Sequence, residues 1–100
     1  MKTQAHELTD KQKEYLLILA EECSEVIKVI TKTFRFGLDS KNPYIPDSPT
    51  NKEELIQEIG DVMAMVELLK DSALELTDDS LKLAKQKKID KLNQWLNNKD

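Results

Sequence analysis

All three prolines of the chain, Pro43, Pro46 and Pro49, fall within seven residues, and its 100 residues contain only two glycines, Gly37 and Gly60. An all-β domain builds its many turns from such residues, so their scarcity argues against that architecture. The two stretches flanking the prolines are rich in Leu, Lys, Glu, Gln and Ala, which favour helix. Apolar spacing resolves them into three helices. The first is expected from about Asp10 to about Phe36, with Thr9 and Gln12 forming a capping box and Gly37–Leu38 a Schellman-type stop. The second starts near Asn51 behind the capping pair Thr50 and Glu53, and ends between Asp71 and Thr77. The third runs from Thr77 or Asp78 to about Asn97.

The expected apolar stripes are Leu16, Leu19, Ala20, Cys23, Val26, Ile27, Ile30 and Phe34 on the first helix, and Leu55, Ile59, Val62, Val66 and Leu69 on the second. On the third they are Leu81, Ala84, the Lys88 stem, Ile89, Leu92 and Leu96, with Trp95 alongside. The length suits one domain, residues 1–100, interrupted by a Pro-rich loop at 38–50. The expected fold is all-α, with three helices per chain, and a chain this short builds a thin core, so oligomerisation is expected to complete the bundle. The net charge of −4 disfavours nucleic-acid binding through a broad basic field. The lone Cys23 excludes an internal disulfide and a cysteine-based zinc site. The N-terminus lacks an apolar signal region and no apolar run could span a membrane, so a cytoplasmic protein without a membrane partner is expected.

The stretch LAEECSEVIKVITK places Glu21, Glu22 and Glu25 inside an otherwise apolar helix. Like charges one turn apart destabilise a helix by roughly 0.2–0.5 kcal/mol. Helical spacing puts Glu22 and Glu25 in a row with Ile18, Val29 and Lys32, and Glu58 and Asp61 in a row with Met65 and Leu68. If the two helices pack antiparallel, both acid pairs face each other. Either pair alone is more often a solvated face. Together they describe four carboxylates in a half-buried space, whose repulsion protonation or a cation would relieve. Carboxylate oxygens suit Mg²⁺ or, as a substitute, Mn²⁺, and His6, the single histidine, lies in the N-terminal tail. Gly60, between Glu58 and Asp61, implies either close helix packing or room for a ligand.

The residues Glu21-Glu22-Cys23-Ser24-Glu25, followed by Glu58-Ile59-Gly60-Asp61, resemble the E-E-x-x-E … E-x-x-D signature of MazG-like nucleotide pyrophosphohydrolases of the all-α NTP pyrophosphatase superfamily. The resemblance covers Leu16 to Leu69, and the 32-residue gap between Glu25 and Glu58 is longer than usual by the Pro-rich loop. It implies a four-helix-type bundle completed by oligomerisation into a homodimer or homotetramer, and a Mg²⁺-dependent enzyme that hydrolyses a nucleoside triphosphate to the monophosphate and pyrophosphate. By position it assigns Glu22, Glu25, Glu58 and Asp61 to the metal, and Glu21 to a second metal or to water.

Lys32 and Arg35 are candidate phosphate-binding residues, or simply basic residues suited to a helix C-terminus. Lys85, Lys88 and Lys91 are weaker candidates. Tyr44 in the loop could stack on a base, as could Trp95, unless Trp95 is a core or oligomer contact. The loop itself is a lid over the nucleotide or a spacer between helices. Phosphoribosyl-ATP pyrophosphatase and a non-catalytic helical interaction module remain the competing functional readings.

Overall fold

The computed structural model describes residues 7–98, and His6 lies outside them. It contains three α-helices and, among the described residues, no strand: α1 (Asp10–Phe36), α2 (Asn51–Lys70) and α3 (Asp78–Trp95). Each begins with a complete capping box, Thr9 with Gln12, Thr50 with Glu53 and Thr77 with Ser80. In each box the threonine oxygen and the third residue's side chain satisfy amides that the first helical turn leaves unpaired.

Helices α1 and α2 form an antiparallel hairpin held by a polar tie at each end. At the open end, the amide of Gln12, a buried residue, donates to the Ser72 carbonyl at 2.5 Å while its Oε1 accepts from the Thr9 N–H at 2.8 Å. At the loop end, buried Asn51 donates from Nδ2 to the Gly37 carbonyl at 2.8 Å. The Asn51 and Lys52 amides donate to the carbonyls of Ser40 and Leu38, both at 2.9 Å. The base of the 38–50 loop is thereby closed. Its middle is pinned by buried Ser48, whose hydroxyl accepts from the Asn42 N–H and donates to the Asn42 carbonyl.

Helix α1 does not end in the expected Schellman turn. The Gly37 N–H donates to the Thr33 carbonyl, but the glycine takes φ 97° and ψ 159°, which sends the chain away from the helix. That positive φ favours glycine. Leu38 stays 44% exposed instead of folding back.

Burial differs from the expected stripes. The buried apolar side chains among the described residues are Val29, Met65 and Leu69. The face of α1 turned to α2 carries Leu16, Leu19, Glu22, Glu25, Val26 and Val29, so the acid-bearing row lies within the helix contact. Ala20, Cys23, Ile27, Ile30 and Phe34, expected as core, are exposed, Phe34 to 88%. On α2, Ile59 is likewise exposed. Helix α3 buries no residue and packs on neither partner to any extent, so its expected stripe is open, with Trp95 71% exposed. Its approach is set by the 71–77 link, where Ala73 and Glu75 adopt positive φ, and by Lys70, which bridges Glu67 and Asp78.

The radius of gyration is 17.7 Å, against about 13 Å for an ordinary domain of this length. The chain exposes 8498 Å², where a folded monomer of its mass exposes on the order of 5800 Å².

Candidate metal centre

Midway along the hairpin, one carboxylate oxygen each from Glu22, Glu58 and Asp61 lies within 4.8 Å of the other two. Glu22 comes from α1; Glu58 and Asp61 stand one turn apart on α2. All three are half-buried. Oxygens held by one small cation at about 2.1 Å are at most about 4.2 Å apart. The triad therefore needs only a small closing movement to grip an ion, and its all-oxygen donor set suits Mg²⁺ or Mn²⁺. Partial desolvation, then the charges of Asp61, Glu22 and Glu25, hold the Glu58 carboxyl above its ordinary range. Crowded like charge of this kind is what a cation relieves.

The other residues expected at the site are placed differently. Glu25 is not part of the triad; it pairs with Lys28 at 3.5 Å, on the rim, close enough to act on Glu58. Glu21 is exposed, and its carbonyl accepts from the Ser24 hydroxyl at 2.7 Å. Gly60 approaches nothing among the described residues: a Cβ built there meets no atom of theirs within 4 Å, so the close-packing explanation fails within the monomer.

Beside the triad lies an open groove of about 860 Å³, walled by α1 and α2 between Glu25 and Glu58 at one end and Lys32, Glu54 and Pro49 at the other. Its size is that of a small-molecule site. Lys32 lines it, paired with Glu54 across the helices at 2.5 Å. Arg35 does not; its guanidinium lies 5.0 Å from the centre of the exposed Phe36 ring. Tyr44 is 89% exposed and is also outside the groove wall, where Pro49 is the one loop residue. Lys85, Lys88, Lys91 and Trp95 are exposed on α3 and outside the wall.

Two groups escaped sequence reasoning. Gln57 donates to Asp61 Oδ1 at 2.9 Å and fixes that carboxylate's orientation. Glu54 takes Lys32 as its partner. Both stand four residues before an acid of the triad, Gln57 before Asp61 and Glu54 before Glu58. That spacing was legible as a shared helix face.

A family model, the MazG nucleotide pyrophosphohydrolase domain, matches residues 10–97. No curated protein and no solved structure matches the chain significantly.

Proposed function

The chain belongs to the MazG nucleotide pyrophosphohydrolase domain family, and from that premise we propose that it is a Mg²⁺-dependent pyrophosphohydrolase converting a nucleoside or deoxynucleoside triphosphate to the monophosphate and pyrophosphate. The observation that carries this reading is the meeting of Glu22, Glu58 and Asp61 from two helices beside a nucleotide-sized groove.

In this reading Glu22, Glu58 and Asp61 hold the cation, and Glu25, on the groove rim, can leave Lys28 to join them. Gln57 keeps Asp61 turned to the site. A bound divalent cation would neutralise phosphate charge, activate water and stabilise the leaving pyrophosphate. The chain's own acids would otherwise repel a polyanion. Lys32 offers the groove a positive charge for the substrate. Tyr44 comes into play only if the loop folds inward, and Arg35, on α1 outside the groove wall, only if its side chain leaves the Phe36 ring.

The same reading includes a homodimer or homotetramer. The area left exposed exceeds that of an ordinary monomer by roughly 2700 Å², more than the ~800 Å² that one partner contributes to a standard interface. Ile27, Ile30, Phe34, Ile56 and Met63 on the hairpin, and Ile89, Leu92 and Trp95 on α3, are the apolar groups available to cover one another.

Pyrophosphate release from a panel of nucleotides, phosphoribosyl-ATP included, with Mg²⁺ and with EDTA, tests the activity. Metal-dependent release from a triphosphate is expected. Release from phosphoribosyl-ATP alone reassigns the substrate, and no release with any nucleotide leaves a helical interaction module. Sedimentation tests assembly, and a clean species at 11.5 kDa would refute it.

A further inference from the structure

The groove wall contains four carboxylates, Glu25, Glu53, Glu54 and Glu58, and two ammonium groups, Lys28 and Lys32. Neither lysine is free. The Lys28–Glu25 pair is loose, 3.5 Å apart on one helix face, with the side chains 70% and 43% exposed. The Lys32–Glu54 pair is tight, 2.5 Å apart across the two helices, with the side chains 45% and 28% exposed. Glu53 is occupied differently, capping α2 through Thr50. An anion entering this groove therefore meets no vacant cation among the wall residues. To gain Lys32 it must displace the Glu54 carboxylate, so what it gains is the difference between two ion pairs.

The placement makes that exchange relevant to a bound nucleotide. Lys32 lies seven residues beyond Glu25 on α1, about 10 Å along the helix axis. A ligand anchored at the acid triad and lying along the groove reaches it. We infer that Lys32 is the anion-receiving group at the far end of the groove, and that Glu54 is its built-in competitor, weakening the hold on an anionic ligand and hastening its release. Glu54 acts only through Lys32 and is a positioning residue. The inference rests on the reading that the groove takes a nucleotide.

The test is calorimetric titration with a non-hydrolysable α,β-imido nucleoside triphosphate in Mg²⁺, with dissociation followed by stopped flow. The samples are the unaltered protein, Glu54→Gln, Lys32→Met and the double variant, each checked for helix content. Glu54→Gln should tighten binding about fivefold, the upper range for a half-exposed ion pair, and slow dissociation to match. Lys32→Met should weaken binding, and in its presence Glu54→Gln should gain little. Unchanged affinity with a lowered melting temperature in Glu54→Gln overturns the inference, because the pair then only ties the helices. A gain that persists in full without Lys32 also overturns it, since Glu54 would then act by its field alone. If the unaltered protein binds no analogue, the nucleotide reading falls and this inference with it; if it binds normally and Glu54→Gln is silent, this inference falls alone.

Discussion

The α1–α2 hairpin and α3 start alike and end differently. Each helix opens with a threonine capping box. Yet the hairpin buries Val29, Met65 and Leu69, and α3 buries nothing. A cap specifies where a helix begins, not what it packs against. The hairpin has in addition the Gln12–Ser72 and Asn51–Gly37 ties, which fix how far one helix slides along the other. Helix α3 has the Lys70–Asp78 bridge at its root and an open apolar stripe above it. The hairpin's covered face also holds the acids, whereas much of its apolar surface is bare. One region brings acids together on its covered face, and the other leaves its apolar stripe open.

Removing charge from the covered face of the hairpin has the greatest consequence. Glu22→Gln, Glu25→Gln, Glu58→Gln and Asp61→Asn should each reduce pyrophosphate release by about a hundredfold or more, the effect of losing several kcal/mol of transition-state stabilisation. Helix content should stay intact. Glu21→Gln, outside the triad and the groove, should have a milder effect. Full activity in Glu58→Gln would sink the site assignment.

Next in size is a matched pair of core substitutions. Leu69 is 1% exposed and Leu92 is 38% exposed. Leu69→Ala should cost about 2–5 kcal/mol in denaturant unfolding. Leu92→Ala should cost the hairpin far less and show itself as weaker assembly in sedimentation. Equal losses of hairpin stability would mean that α3 folds back onto its own chain.

A smaller effect follows from pH. The Glu58 carboxyl is held above its ordinary value of 4.5, chiefly by desolvation and then by Asp61. The folded state thus binds that proton more tightly than the unfolded state. Its stabilising contribution is present in full below pH 4.5 and is lost as the pH rises through the raised value. Glu53 runs the other way: Thr50 hydrogen bonds lower its pKa, so its contribution is present above 4.5 and lost as the pH falls through the lowered value. Melting the metal-free protein from pH 4 to 7 beside Glu58→Gln isolates the first effect. The two should melt together at the acid end, with the variant the more stable near neutrality. Mg²⁺ should reverse that order at neutral pH by stabilising the unaltered protein.

The helices and their starts were legible because they depend on residues three or four apart: Thr9 with Gln12, Thr50 with Glu53. The meeting of Glu22 with Glu58 and Asp61 was legible for the same reason, once the two rows were assumed to face each other. What could not be read was which stripe is covered. Ile27, Ile30 and Phe34 are as apolar as Leu16, Leu19 and Val29, and helical period alone does not rank two adjacent faces. The choice falls to end ties such as Gln12–Ser72 and Asn51–Gly37, which join residues 60 and 14 positions apart. The Gly37 stop failed on a related point: Asn51 holds the Gly37 carbonyl, so long-range bonding decides how the chain leaves α1.

Gly60 belongs to the hairpin, on α2 between two acids of the triad, yet it is exposed. A Cβ added there meets no atom within 4 Å among the described residues. Mid-helix glycine is disfavoured relative to alanine by roughly 0.5–1 kcal/mol. Within a lone hairpin, Gly60→Ala should therefore stabilise the protein by up to that amount, with no change in Mg²⁺ affinity. Denaturant unfolding at a concentration low enough to dissociate any oligomer measures this term by itself. Repeating it at high concentration asks whether a partner subunit covers Gly60. A gain retained there leaves the glycine facing solvent or ligand. A gain that turns into a loss places a partner helix against Gly60, close enough that a methyl group does not fit, and puts the subunit contact one residue from Asp61.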